Sequence, residues 1–291
     1  MVFHNLVRNL TTVHTPYWDY PPTASVDWCE VNYEYTPYLA EFFNSLSSLA
    51  LAFAGIFGIL LHPWAETRFK TAFGATIAVG LGSVAFHGTL SKFTQAADEI
   101  PMLYSALAFA YITLVQKYNF KHSTRTFLAI ALVSHAALTT YLVTAFEGKW
   151  QFILFHISFG TAQIFAVYQM FTIYRTHKVA FRDTECTRIF ENGFKFYGFA
   201  FVWWIIDFTG CDYVNPFYSK AILPFNPQFH AWWHVFISIG LYNMGLFGLY
   251  DRMNQRLSGK EPKLKYFLNF VPYIVLQDIK IEKINYNTFE Q

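Results

Sequence analysis

"FHAWWHVFISIGLYNMGLFGLY" (residues 229–250) holds no acidic side chain, no lysine and no arginine, yet it opens with two histidines, His230 and His234, four positions apart. A helix needs about 20 largely apolar residues to cross a hydrocarbon core of about 30 Å, and Ala231 to Tyr250 supplies them. Six earlier stretches read the same way: Phe42 to Leu61, Phe73 to Leu90, Ile100 to Gln116, Phe127 to Phe146, Phe152 to Tyr174 and Phe194 to Thr209. With 54% hydrophobic residues, 21% aromatic and only 14% charged over 291 positions, the chain is more apolar than a soluble domain sustains. The expected fold is an all-α membrane protein, a bundle of seven transmembrane helices. Residues 1–41 form an N-terminal segment, 42–251 the helical domain and 252–291 a basic tail. No repeat or low-complexity tract points to a solenoid or a disordered arm.

The net charge of +2 conceals an asymmetry. Assigned to alternate sides of a bilayer, Arg8, Lys92, Lys149 and Lys220 fall on one side. Arg68, Lys70, Lys117, Lys121, Arg125, Arg175, Lys178, Arg182 and Arg188 fall on the other, together with Arg252, Arg256, Lys260, Lys263, Lys265, Lys280 and Lys283 of the tail. Cationic residues accumulate on the cytosolic side, so the expectation is a lumenal N-terminus and a cytosolic C-terminus. The dispersed basic tail is then a topology signal rather than a surface for anionic lipid or nucleic acid. No cationic segment followed by an apolar stretch lies within residues 1–40, which leaves the first span as the targeting signal. Cys29 and Cys211 fall on the lumenal side and are candidates for a disulfide, whereas Cys186 is cytosolic. Asn9-Leu10-Thr11 is a glycosylation sequon on the lumenal side.

Histidines at i and i+4 share one face of a helix, about one turn apart, and both rings reach a single metal ion. By itself the pair has a second reading, as interfacial residues of an aromatic belt that also contains Trp232 and Trp233. "GLGSVAFHGTL" in the second span places Ser83 and His87 at the same i, i+4 spacing, and "DEIPMLYS" opens the third span with Asp98 and Glu99. Alternating span directions bring Ser83, His87, Asp98, His230 and His234 to one depth on the lumenal side. Three histidines with an open fourth position are the ligand set of a catalytic zinc, which deprotonates its bound water near neutrality. Asp98 is then the group that accepts the water's proton, and Ser83 the hydroxyl that meets the metal water or a developing oxyanion. His135 and His156 read as packing or interhelical hydrogen-bonding residues. Asp207 is either a partner that orients a ligand histidine or an interfacial residue. His4, His14, His62, His122 and His177 read as surface residues. "DWCEVNYEYTPYLAEFFN" holds Asp27, Glu30, Asn32, Glu34 and Glu41. Their spacing does not match an EF-hand, so from the residues alone a solvated acidic loop stands ahead of a calcium site.

Three stretches carry a family resemblance: "WDYPPTASVDWCEVNYEYTPYLAEFFNSLSSLA", "GLGSVAFHGTL" followed by "DEIPMLYS", and "FHAWWHVF". In order and spacing, over about residues 17 to 250, the chain resembles the alkaline ceramidases, integral-membrane amidases of the secretory pathway related to the adiponectin receptors. The resemblance implies a catalytic zinc held by His87, His230 and His234, with Ser83 and Asp98 in the reaction. It also implies calcium bound by Asp27, the Trp28 carbonyl, Glu30, Asn32 and Glu41, which displaces the solvated-loop reading. The implied activity is hydrolysis of the amide of a ceramide-type lipid within the bilayer of the endoplasmic reticulum or Golgi. The alternative is a receptor of the adiponectin-receptor type with a structural zinc. The first fifteen residues and the tail after about Met253 lie outside the resemblance.

Overall fold

The computed structural model describes residues 14–18, 22–256 and 260–278. His4, the Asn9 sequon, Lys280 and Lys283 lie outside them. Seven α-helices occur among the described residues: α1 (Phe42–Leu60), α2 (Thr67–Thr89), α3 (Lys92–Lys117), α4 (His122–Ala145), α5 (Gly148–Thr176), α6 (Thr184–Val214) and α7 (Phe229–Arg256). A π-helical turn, His177–Phe181, extends α5. The helices from α1 to α5, with the π turn included in the last, are long and apolar enough to cross a membrane.

Helices α3 and α6 begin well before their apolar stretches do, because capping residues precede those stretches. Ser91 accepts a hydrogen bond from the Thr94 N–H and starts α3 at Lys92, and Asp183 accepts one from the Cys186 N–H and starts α6 at Thr184. Each satisfies a backbone donor that a helix terminus leaves open.

Within the bundle α2 lies between α1 and α3, while α7 packs along α6 and α1. A Cβ at Gly80 would collide with Ala52 of α1, and one at Gly58 with the Phe73 ring. Small residues therefore set the close approach of α1 and α2. Helix α4 is peripheral and turns Phe127, Ile130, Val133 and Tyr141 outward, as a lipid-facing helix does.

The N-terminal segment folds over one end of the bundle. It supplies donors to the last carbonyls of α2: the Thr23 and Ala24 N–H groups bond Leu90, Ala40 bonds Gly88, and Glu41 bonds His87. A disulfide joins Cys29 to Cys211 at the end of α6, with 5.4 Å between their Cα atoms.

The tail contains more than dispersed charge. Strands β1 (Lys260–Phe267) and β2 (Val271–Asp278) pair antiparallel across Leu268–Phe270, with Phe267 opposite Val271. Leu268 and Asn269 both adopt positive φ in this tight connection. The hairpin packs on the other end of the bundle, where Ile274 enters the main core and the Tyr242 hydroxyl donates to the Pro272 carbonyl at 2.6 Å.

This docking corrects the surface assignment of His62, which is fully buried. Its Nδ1 lies 3.0 Å from the Gly58 carbonyl, and its Nε2 accepts the Ile274 N–H at 3.1 Å. Those two roles require a neutral ring with the proton on Nδ1. Burial accordingly pushes the imidazole down to about 4, against the opposing pull of the Gly58 carbonyl. His177 is buried as well, against Phe247 and Asp251 of α7, whereas His14 and His122 are exposed.

Because the unfolded chain binds a proton at His62 near pH 6.5 and the folded chain only near 4, stability is greatest above about 6.5 and falls as the pH drops through that interval. Protection factors for amide exchange at 260–278, corrected for the intrinsic pH dependence, are expected to fall between pH 6.5 and 4 more than those in α7. His62→Ala is expected to remove that difference and to raise exchange in the hairpin already at neutral pH.

Candidate metal centre

His87 lies on the last turns of α2, and His230 and His234 lie on the first turns of α7. The ring centroids are 5.1 Å apart for His87 and His230, 4.9 Å for His87 and His234, and 4.8 Å for His230 and His234. One ligand nitrogen from each ring falls within 4.8 Å of the other two, and all three residues are buried. Ligand atoms on a tetrahedral zinc sit about 3.3–3.8 Å apart at the usual bond lengths. A contraction of at most about 1.5 Å brings these imidazoles into range.

Each ring is oriented by a partner. His87 Nδ1 lies 2.5 Å from Glu41 Oε2, and His234 Nδ1 lies 2.8 Å from the Ser47 hydroxyl. A histidine that gives one N–H to a carboxylate or hydroxyl presents the other nitrogen as a lone pair, the arrangement found around metal-bound imidazoles. His230 stacks face to face on Trp28, with centroids 3.7 Å apart, and its Nδ1 is buried without a hydrogen-bond partner. An orphaned buried nitrogen beside two oriented imidazoles fits a metal ion.

Asp207 engages main-chain donors. It is buried at the junction of α6, α7 and the N-terminal segment, accepting the His230 backbone N–H at 3.3 Å on Oδ1 and the Cys29 N–H at 3.0 Å on Oδ2. It positions His230 through the main chain.

Ser83 and Asp98 meet beside the histidines. The Ser48 hydroxyl donates to Ser83 Oγ at 2.9 Å, Ser83 Oγ is 3.3 Å from His234 Nε2, and Ser83 hydrogen-bonds Asp98. Two features of the sequence permit this contact between α2 and α3. Gly82 faces the Ala97 carbonyl so closely that any Cβ would collide with it. Pro101 in turn lacks the N–H that would bond that carbonyl within the helix. Next to Asp98, Glu99 belongs to a separate buried network. Gln95 Nε2 donates to Glu99 Oε1 at 2.8 Å and to Gln151 Oε1 at 3.1 Å, Gln151 Nε2 donates to Glu99 Oε2, and Gln95 Oε1 accepts the Ser25 N–H.

The acidic N-terminal residues are buried rather than solvated: Asp27, Glu30, Asn32 and Glu41 are all at most 6% exposed. Both Glu30 oxygens cap α1 by accepting the Phe43 and Asn44 N–H groups at 2.7 and 2.9 Å. Glu41 Oε1 accepts the Trp28 N–H at 3.0 Å, and Asn32 Nδ2 donates to both Asp27 oxygens. Burial, and next the Glu41 charge, push the Glu30 carboxyl up to about 8. Crowded, dehydrated carboxylates next to the orphaned Asn32 Oδ1 fit a hard cation, which takes oxygen ligands and cancels the repulsion. Glu34, by contrast, is partly exposed.

Sequence reasoning missed Ser47 and Ser48. The signal was present in "FNSLSSLA", where hydroxyls interrupt an apolar span next to the candidate ligands. His135 and His156 stand outside the cluster: His135 Nε2 lies 2.8 Å from the Ser158 hydroxyl, and His156 Nδ1 lies 2.8 Å from the Phe152 carbonyl.

A family model for ceramidases matches residues 20–275. The chain belongs to the ceramidase family. The match takes in β1 and the first five residues of β2, beyond the Met253 limit drawn from the motifs. Curated relatives include an alkaline ceramidase of Arabidopsis thaliana, 28% identical over 90% of this chain and 96% of its own. Alkaline ceramidase 3 of Mus musculus is 30% identical over 90% and 95%, and an alkaline ceramidase of Drosophila melanogaster 26% over 89% and 88%.

A Cβ at position 82 must push α2 and α3 apart at the Ser83–Asp98 contact. Gly82→Ala is expected to cost at least about 1–3 kcal/mol of stability, the usual penalty of overpacking, and to separate Ser83 from Asp98. Thermal denaturation of the purified protein measures the first effect. A catalytic loss larger than that of Gly74→Ala, where a Cβ meets open space, measures the second.

Proposed function

We propose that this chain is a zinc-dependent alkaline ceramidase that hydrolyses the amide of a ceramide-type lipid to a free fatty acid and a sphingoid base. Family membership over most of the chain supports an amidohydrolase. The observation that carries the mechanism is the convergence of three buried imidazoles with the Ser48–Ser83–Asp98 hydrogen-bond chain. His87, His230 and His234 would hold zinc. When bound, zinc supplies Lewis acidity and lowers the pKa of water toward neutrality.

The chain's own residues do the rest. Asp98 takes one proton of the attacking water and returns it to the departing nitrogen, so that the sphingoid base leaves as an amine and the acyl group as a carboxylic acid. Ser83, whose oxygen already receives the Ser48 proton, is oriented to donate to the oxygen of the substrate carbonyl as negative charge builds there. Glu41 fixes the His87 tautomer, Ser47 that of His234, and the Trp28 ring holds His230 in plane.

Asp27, the Trp28 carbonyl, Glu30, Asn32 and Glu41 would hold calcium, a hard cation suited to these oxygens. Glu41 then belongs to both sites, and calcium keeps the N-terminal segment seated over the histidines. Helices α6 and α7 complete a seven-span bundle in the membrane of the endoplasmic reticulum or Golgi, with the N-terminus lumenal and the hairpin cytosolic. In that setting the amide of a two-tailed lipid lies near the headgroup boundary, at the depth inferred for the histidines.

Purified protein is expected to release fatty acid from ceramide and to lose that activity on chelation, with recovery on adding zinc. His87→Ala, His234→Ala and Asp98→Asn are each expected to reduce kcat at least about 100-fold, in keeping with the loss of a metal ligand or a general base. Full activity in all three variants refutes the assignment. Glu30→Ala is expected to abolish the rise in thermal stability on adding calcium while leaving bound zinc at the wild-type level.

A further inference from the structure

At the end of the bundle opposite the histidine triad, α5, the π turn, α6 and α7 bring together His177, Asp183, Cys186 and Asp251. One ligand atom each from His177, Asp183 and Cys186 lies within 4.8 Å of the other two. His177 is 2% exposed and Cys186 fully buried.

The hydrogen bonds around His177 repeat the pattern at His87. His177 Nε2 lies 2.8 Å from Asp251 Oδ1, while Gln116 and Gln255 both donate to Asp251 Oδ2 at 2.9 Å. That carboxylate is therefore held in place and takes the Nε2 proton, so that Nδ1 is the nitrogen turned toward the neighbouring ligand atoms. Nδ1 is buried and makes no hydrogen bond. It points toward Asp183 Oδ2, 3.7 Å away, too far for a hydrogen bond and close to the separation of two ligands on one ion.

Asp183 is held as well. Its Oδ1 caps α6 through the Cys186 N–H at 3.0 Å and lies 3.5 Å from the Tyr250 hydroxyl, and its Oδ2 accepts Asn254 Nδ2 at 3.1 Å. The π turn and Arg182, in the left-handed region at φ 52°, fold the connection so that His177 faces Asp183.

We propose that His177, Asp183 and Cys186 form a second metal site, for zinc or a similar borderline-soft divalent ion, with Asp251 orienting His177 from behind. One imidazole nitrogen, one thiolate and one carboxylate are ligands that zinc accepts together, and a fourth position stays open to water. The ion ties the π turn to the start of α6, and the bond from His177 to Asp251 links both to the C-terminal half of α7. In the proposed topology this end is cytosolic, where thiols stay reduced, so Cys186 is available as a thiolate while Cys29 and Cys211 are not.

The two sites differ in one spectroscopic respect: the triad at the other end contains no sulfur. The full chain, purified in detergent, is loaded with cobalt in place of zinc, and bound cobalt and the near-ultraviolet thiolate-to-cobalt charge-transfer band are measured. Two equivalents of cobalt per chain and a clear band are expected. Cys186→Ser, nearly isosteric, is expected to lose the band and one equivalent, and His177→Ala to do the same. His87→Ala is expected to lose the other equivalent and keep the band. Absence of the band from the wild-type chain, or its persistence in Cys186→Ser, overturns the second site whether or not the triad binds metal.

Discussion

The contact between Glu41 and His87 joins three parts of the chain that sequence separates. Glu41 ends the N-terminal segment and precedes α1, and His87 closes α2. The same carboxylate bonds the Trp28 N–H, and Trp28 stacks on His230 of α7. One buried acidic residue thus fixes the tautomer of one imidazole and, through an aromatic plane, the orientation of another. A buried carboxylate is costly unless its lone pairs are used. Here Trp28, Asn44 and His87 all direct donors at it. The seating of the N-terminal segment and the orientation of the histidine cluster therefore share the same contacts.

Seven helices were legible because each contains a long, largely apolar stretch, which in α1 to α5 reaches the length and hydropathy that a membrane span needs, and the grouping of His87, His230, His234, Ser83 and Asp98 followed from i, i+4 spacing and alternating helix direction. The orienting partners were not legible in the same way. Ser47 and Ser48 look like ordinary small residues of an apolar helix, and only the rotation of α1 against α7 turns them toward His234. Asp207 was recognised as ambiguous; its place was decided by backbone donors from Cys29 and His230, which no side-chain pattern announces. His62 and His177 were misassigned because they lie between apolar stretches, where solvent exposure is the default. Non-local pieces bury both: a hairpin some two hundred residues later covers His62, and α7 covers His177.

The hairpin shows how charge composition misleads about structure. Lys260, Lys263 and Lys265 made the tail look like a solvated topology signal, yet alternation along β1 and β2 lets Leu264, Ile274 and Leu276 face the bundle while Lys263 and Lys265 take the other face. Its attachment is specific rather than merely apolar. Ile274 gives its N–H to His62, and Pro272, which has no N–H to give, offers its carbonyl to Tyr242.

Within lipid, apolar side chains gain little by leaving one hydrocarbon for another, so helix association depends on close packing and polar contacts. That constraint explains where the glycines stand. Gly55, Gly58 and Gly80 let α1 and α2 touch, and Gly82 lets α2 touch α3 at the residue before Ser83. The serine hydroxyls of α1 reach Ser83 and His234 only because those backbones are so near. The geometry of the polar cluster is thus set by residues with no side chain, and the large aromatic residues that dominate the composition fill the space around a framework that the glycines determine.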